Sequence, residues 1–188
     1  MRDANGSEVK ERLARGKRTT GEDEREQMSR EPAKRVMKAA LNILASRSCS
    51  EGHLRDRLSA KGWAEAGVIE DCLKRLKELG YVNDDLFAKS YANYRVHSKP
   101  LGRARLAREL AIKKVSRNTI DGALDLVFDE VPEETLIDRA IARRMRTHGR
   151  PGNRAAAKRM FDHLARLGFE YDLIVRKLSD LRKNTEHE

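Results

Sequence analysis

Apolar residues recur every three or four positions along most of this chain after Pro32. Clear stripes of this kind cover residues 36–44, 68–79 and 136–145. The spacing matches the 3.6-residue period of an α-helix that buries one face. No stretch alternates apolar and polar residues over the length of a strand. The pattern therefore predicts an all-α fold.

The helical pattern itself repeats three times, at offsets of just over 50 residues. In each copy a helix ends at a basic residue, a glycine or its substitute and a large apolar residue follow, and a second amphipathic helix begins. These junctions read Lys61-Gly62-Trp63, Lys113-Lys114-Val115 and Arg166-Leu167-Gly168-Phe169. Glycine supplies the left-handed residue that ends many helices. One further helix precedes each copy, at about 33–47, 84–98 and 133–147.

Three helices in each of three copies predict an elongated array of three tandem three-helix repeats, because such small units bury too little surface alone and must stack. We expect repeats at 32–82, 83–130 and 131–182, and a polar tail at 183–188. Residues 1–31 contain few apolar side chains, which predicts a disordered or loosely helical arm. Cap signals support these boundaries: Ser48 to Glu51 has capping-box spacing, and Asn83 and Asn153 precede helices.

Charge is distributed in blocks. The chain has 40 Lys and Arg against 30 Asp and Glu, a formal net charge of +10. Residues 95–117 carry +7 and residues 139–166 carry +8, whereas residues 118–138 between them carry −7. One interpretation is that these are solvated faces and that the acidic block pairs with its neighbours. Basic blocks of this density more often mark a surface for a polyanion, which we favour.

Two loops rich in Gly and Pro, 97–103 and 147–153, occupy equivalent places in the second and third repeats. Helices that begin after such loops would direct N–H groups and basic side chains the same way. Ordinary loop solubility is the alternative. The residues that we expect to face acidic protein or phosphate are Arg103, Arg105, Arg108, Lys113, Arg143, Arg144, Arg150, Arg154, Lys158 and Arg159.

The sequence indicates no catalytic site, metal or cofactor. It has no phosphate-binding glycine motif and no nucleophile elbow, and its five histidines lack ligand spacing. Asp84 and Asp85 could hold Mg²⁺ in a nuclease, but acidic residues also favour the first turn of a helix. Cys72 lies on an apolar stripe, which predicts a core residue. No apolar run spans a membrane and no signal peptide is visible, so we expect a cytoplasmic protein.

A short string carries a family resemblance. Residues 80–88, which read Gly-Tyr-Val-Asn-Asp-Asp-Leu-Phe-Ala, resemble the GYL(D/N)D-x-x-FA signature of the RecX regulatory proteins. Residues 101–110 resemble the G-x-x-x-(I/L)-x-x-EL segment of that family, and the likeness extends over about 33–181. One departure is Lys113-Lys114-Val115, where the family usually has KG followed by Ile or Val, so the local geometry of this turn is open.

The resemblance implies a non-catalytic regulator that binds in the groove of the RecA–DNA filament. It would inhibit the ATPase and strand exchange of RecA, and so limit recombinational DNA repair and the SOS response. It also implies weak binding to single- or double-stranded DNA. We assign the signature residues Gly80, Tyr81, Asp84, Asp85 and Phe87 to structure, with the last four holding the first two repeats together. The rival hypothesis is a stand-alone DNA-binding helical module. We expect a monomer.

Overall fold

The computed structural model describes residues 31–183. Residues 1–30 of the predicted arm and 184–188 of the predicted tail lie outside this range. The described residues form nine helices and no strand, which confirms the all-α class and the three successive sets of three helices. The helices are α1 (31–46), α2 (Glu51–Ser59), α3 (Ala66–Glu78), α4 (Asp84–Ser98), α5 (Arg103–Ile112), α6 (Arg117–Glu130), α7 (Glu133–His148), α8 (Arg154–Leu167) and α9 (Tyr171–Lys183).

Side-chain caps define several helix starts. The side-chain oxygen of Asn83 accepts the N–H of Leu86 at 2.9 Å, and that of Asn153 accepts the N–H of Ala156 at 2.8 Å. Both caps were predicted. The capping box at Ser48 was wrong, because α2 begins at Glu51 and only the residue directly before it can cap. That residue is Ser50, whose hydroxyl accepts the N–H of His53 at 3.2 Å.

The turn between the second and third helix has the same form in each set. Gly62, Lys114 and Gly168 all have positive φ, at 69°, 63° and 90°. In the second and third sets the residue after the turn also donates its N–H to the preceding helix, Val115 to the carbonyl of Leu110 and Phe169 to that of Leu164, at 3.3 Å each. Lys114 therefore takes the left-handed conformation without being glycine, at a cost of about 1 kcal/mol. The departure from the family pattern leaves this turn intact.

The chain divides into two compact units. Within the described residues, the first comprises 31–47 and 54–81. The helices of this unit contribute the buried residues Val36, Ala40, Ile43, Leu54, Leu58, Ile69, Cys72, Leu73 and Leu76. Cys72 is thus a core residue, as predicted, and burial raises the pKa of its thiol. The guanidinium of Arg35 also lies 4.4 Å from the centre of the Trp63 ring.

The second unit comprises 48–53 and, among the described residues, 82–183. One hydrophobic core runs through it from Ala88 on α4 to Ile174 on α9. Leu106 and Leu110 of α5, Leu136 of α7 and Leu164 of α8 all lie in this core without solvent exposure. The second and third sets of helices therefore share a single core rather than forming separate bundles.

A backbone junction joins those two sets. Gly102 and Ala104, at the start of α5, donate their N–H groups to the carbonyls of Leu167 and Gly168 at 3.0 and 3.2 Å. The N–H of Arg103 is accepted by the carboxylate of Glu133 at 3.0 Å. A side chain on Gly102 would overlap the backbone of Gly168, so these two backbone segments are in direct contact.

Residues 48–53 make an equivalent junction with the other end of the same unit. Ser50 donates its hydroxyl to the carbonyl of Lys113, and Glu51 donates its N–H to the carboxylate of Asp84 at 2.7 Å. A Cβ on Gly52 would lie 2.6 Å from that of Lys114. At both junctions, therefore, the start of the second helix of one set contacts the turn and the first acidic residue of the next set.

Candidate functional site

Much of the first basic block, residues 95–117, is engaged within the second unit. Arg95 forms two hydrogen bonds with Glu109, at 2.8 and 3.0 Å, and Arg105 adds a third at 3.0 Å. The hydroxyl of Tyr91 donates a fourth at 3.0 Å. Burial alone would raise the pKa of Glu109, but these four bonds outweigh it and lower the pKa to about 2. Arg105 therefore helps to neutralise a carboxylate of its own chain.

Other predicted residues of this block also have internal partners. The guanidinium of Arg103 binds the carboxylate of Asp125 at 2.6 Å. The ammonium of Lys113 lies 4.9 Å from the centre of the Tyr91 ring, within cation–π range. Arg108 is exposed, and its guanidinium donates to the carbonyl of Ala104 at 3.2 Å. Several cations of this block are thus already engaged in contacts within the protein.

The acidic block, residues 118–138, pairs with cations outside the second basic block. Glu130 binds Lys89 of α4 at 3.3 Å, and Asp125 binds Arg103 of α5. From α9, Arg176 binds Glu134 at 3.2 Å and Lys177 binds Asp138 at 2.6 Å. The interpretation that acids pair with neighbouring bases holds for the first block and for α9.

The positive charge of the second basic block, residues 139–166, is largely not neutralised by ion pairs within residues 31–183. Five of the predicted residues in it form no ion pair with any residue of the described range 31–183: Arg143, Arg144, Arg154, Lys158 and Arg159. The sixth, Arg150, donates to the carbonyl of Leu181 at 2.7 Å. These side chains lie on the last turns of α7, on the following loop and on the first turns of α8. This surface, which we call the α7–α8 surface, is the strongest candidate for contact with an anion.

A cleft of about 240 Å³ lies beside this surface and contains residues that the sequence analysis missed. Arg143, Arg144 and His148 line it from α7, Lys99 from the α4–α5 connection and His163 from α8. Burial lowers the pKa of His163, and the surrounding cations Arg144, Arg166, Lys99 and His148 lower it further. In the sequence, Lys99 and His148 stand in the two Gly/Pro loops. His163 gave no such signal, since its position depends on how α8 packs.

The signature residues have mixed surroundings. Asp84 accepts the N–H of Glu51, and Phe87 stacks on Tyr91 with ring centres 6.1 Å apart. Asp85 is exposed in the first turn of α4, and Tyr81 is 59% exposed. Gly80, with φ of 75°, follows the end of α3. The assignment of these residues to holding two repeats together stays a prediction, although Asp84 forms one clear link within the second unit.

Two other kinds of site are absent from residues 31–183. This range contains no group of three or more His, Cys, Asp or Glu that could hold a metal ion. It also contains no helix with the length and apolar character needed to cross a membrane.

The chain is similar to several known proteins. A family model described as "RecX, second three-helix domain" matches residues 83–124. A "Regulatory protein RecX" of Streptomyces lividans is 29% identical over 176 residues, which cover 92% of this chain and 93% of that protein. The protein of the same name from Treponema pallidum (strain Nichols) is 37% identical over 111 residues, 58% of this chain and 67% of that one.

Solved structures agree on the fold. The crystal structure of RecX from Lactobacillus salivarius matches with a TM-score of 0.72 at 20% identity, covering 81% of this chain and 97% of that one. A second crystal structure, of a regulatory protein RecX, matches with a TM-score of 0.67 at 19% identity.

Proposed function

Since this chain belongs to the RecX family, we propose that it is a regulator that binds the RecA–DNA filament and inhibits RecA. It acts in the cytoplasm, without a catalytic group and as a monomer. Its effects are a lower rate of ATP hydrolysis by RecA, less strand exchange and a weaker SOS response. The observation that carries the proposal is the α7–α8 surface, where five basic residues have no ion-pair partner within residues 31–183.

A nucleoprotein filament offers both phosphate and protein, and the second unit has a surface suited to each. No large hydrophobic residue within 139–170 is strongly exposed, so the α7–α8 surface presents charge without apolar anchors. Large exposed apolar side chains of this unit lie on other helices, at Leu86 and Tyr94 of α4, Ile112 of α5, Leu126 of α6, and Tyr171 and Val175 of α9. Of these, Tyr171 contacts α8, with its ring centre 5.4 Å from that of Phe161. Protein interfaces are enriched in aromatic anchors, whereas phosphate contacts need Arg and Lys. The division supports a partner that contains both components.

The mechanism is occupancy. A rigid helical body whose second and third sets share one core would contact neighbouring RecA subunits without deforming. Binding in the groove obstructs the incoming DNA strand and restrains the subunit movements that accompany ATP turnover. Affinity then depends on the filament, and free RecA or naked DNA is bound more weakly.

The direct test measures ATP hydrolysis by RecA on single-stranded DNA while this protein is added up to equimolar amounts. We expect the rate to fall at least several-fold at or below one protein per RecA. An unchanged rate at equimolar protein would contradict the proposal. A parallel titration at saturating DNA excludes competition for free DNA as the cause of inhibition.

The alternative is a stand-alone DNA-binding module, which is also supported by the five residues of the α7–α8 surface that form no ion pair within residues 31–183. Such a module would bind naked DNA tightly, and its affinity would fall by orders of magnitude between about 50 and 200 mM salt. Binding to naked duplex and to preformed RecA filaments should therefore be compared at the same salt concentration. Equal affinity for both would favour the module, and a strong preference for filaments would favour the regulator.

A further inference from the structure

The cleft between the α4–α5 connection and the α7–α8 pair differs from the exposed α7–α8 surface, because basic side chains from three separate elements line one concavity. Lys99 enters from the connection, Arg143, Arg144 and His148 from α7, and His163 from α8. Among the described residues, no acidic side chain lines the cleft. We propose that this cleft binds a phosphate group of the DNA backbone.

Helix polarity accounts for only part of this arrangement. The C-terminal end of α7 favours positive charge in its last turn, which contains Arg146 and His148 but not Arg144. That effect falls off within the last turn and gives no reason for Lys99, which follows a different helix, to approach the same space. Neither Lys99 nor Arg144 forms an ion pair with another residue of the described range. Like charges brought together without a counter-charge repel one another, and a bound anion removes that repulsion.

The lining also includes the apolar residues Pro100, Ala140 and Leu167, and its polar residues suit a phosphodiester. Two arginines can donate several N–H groups to phosphate oxygens, and Lys99 adds a compact charge. The hydroxyl of Thr147 hydrogen-bonds the carbonyl of Arg144 at 3.0 Å and lies 2.7 Å from Nδ1 of His148, which fixes the end of α7. The lack of large exposed apolar residues in 139–170 favours phosphate over a protein carboxylate.

Binding is also coupled to protonation. Burial and the surrounding cations Lys99, Arg144, His148 and Arg166 favour the neutral form of His163 in the free protein, so they lower its pKa. A bound phosphate adds negative charge beside the ring and favours the protonated form. Affinity therefore rises as the pH falls through the range in which His163 takes up a proton, because protonation and anion binding assist each other.

The proposal takes DNA as the ligand from the proposed function, so its test omits RecA. A fluorescein-labelled single-stranded oligonucleotide is titrated with the full-length protein and with Arg144→Gln, Lys99→Gln and His163→Gln. The control is Arg117→Gln, which removes the same charge from a site outside the cleft whose side chain is 93% exposed. We expect a five- to tenfold weaker affinity, about 1–1.4 kcal/mol, for Arg144→Gln or Lys99→Gln. Their salt slope should fall by about one. The control should change less than twofold.

Each other outcome has a defined meaning. Cleft variants that bind the oligonucleotide as tightly as the control overturn the proposal, whatever happens to RecA inhibition. Loss of RecA inhibition with unchanged oligonucleotide binding also overturns it and assigns the cleft to protein contact. Competition by ATP or inorganic phosphate at concentrations far below those of oligonucleotide phosphate would identify a free anion as the ligand and overturn the backbone assignment. Retention of the full pH dependence by His163→Gln contradicts the coupling.

Discussion

Glu109 is the residue whose charge the fold controls most closely. Its side chain is only 14% exposed, and the carboxylate accepts four hydrogen bonds from Arg95, Arg105 and Tyr91. Its pKa of about 2 lies below the ordinary value of 4.5. A carboxyl group whose pKa is lower in the folded state stabilises that state fully above about pH 5. This contribution is lost as the pH falls through 4.5 towards 2.

We therefore expect Glu109→Gln to lower the free energy of unfolding by about 3 kcal/mol at pH 7, from a pKa difference of about 2.5 units. The difference between wild type and variant should shrink steadily between pH 5 and pH 2. Urea unfolding monitored by circular dichroism at a series of pH values measures it. Glu130→Gln is the control, since Glu130 belongs to a half-exposed pair that is worth less than about 1 kcal/mol. A deficit independent of pH would show that the charge of Glu109 contributes little.

Sequence reasoning could identify these residues but not their roles. Arg105 lies four positions before Glu109, so a pair on one helix face was readable, yet a surface contact was predicted for Arg105. Tyr91 and Arg95 reach the same carboxylate from α4, and only the packing of α4 against α5 brings them there. Tertiary contacts of this kind leave no signature in local spacing.

At the scale of elements, the helix starts and the three-fold repetition were largely readable. Caps such as Asn83 and Asn153 act within four residues, so local sequence determines them. The left-handed turn at Lys114 was in doubt because lysine rarely adopts positive φ. The structure keeps this conformation because Val115 is buried and hydrogen-bonded on the far side of the turn. The shared core of the second unit was not readable, since periodicity describes each helix alone.

The junction between α5 and the α8–α9 turn gives the prediction at this scale. Gly102→Ala places a methyl group against the backbone of Gly168, which cannot rotate away as a side chain can. We expect a loss of about 3 kcal/mol in the free energy of unfolding. Gly122→Ala is the matched control, because Gly122 lies within α6 with nothing within 4 Å of the added Cβ. It should gain about 0.5–1 kcal/mol.

Urea midpoints of the two alanine variants measure this difference. A Gly102→Ala protein within about 0.5 kcal/mol of wild type would mean that the junction yields easily. The second and third helical sets would then be joined by their side-chain core rather than by backbone contact.

At the scale of the whole molecule, the net charge of +10 combines cations that pair within the fold with cations that do not. Two basic blocks of similar charge were visible in the sequence, but which of them the acidic block neutralises depends on three-dimensional neighbours. Arg103 and Lys89 contact acids of α6, and α9 supplies Arg176 and Lys177 to acids of α7. The second block is left without those partners. Stability and partner binding should therefore depend on different basic residues.

Two double variants with equal loss of charge test this separation. Arg95→Gln with Arg103→Gln removes paired cations and should lower the free energy of unfolding by about 2–4 kcal/mol, because Glu109 loses two of its donors. At a temperature where this double variant stays folded, its affinity for RecA filaments should remain within about twofold of that of the wild type. Lys158→Gln with Arg159→Gln should change stability by less than about 0.5 kcal/mol, since neither side chain forms an ion pair with a residue of the described range.

The second variant should instead bind filaments about tenfold more weakly at low salt, with a salt slope reduced by about two if both cations contact phosphate. Urea unfolding and filament binding by anisotropy, measured on the same preparations at several salt concentrations, give both quantities. Equal losses of affinity in the two variants would mean that filaments respond only to net charge. A weaker affinity confined to Lys158 and Arg159 assigns the interaction to a local surface, because the two proteins carry the same total charge.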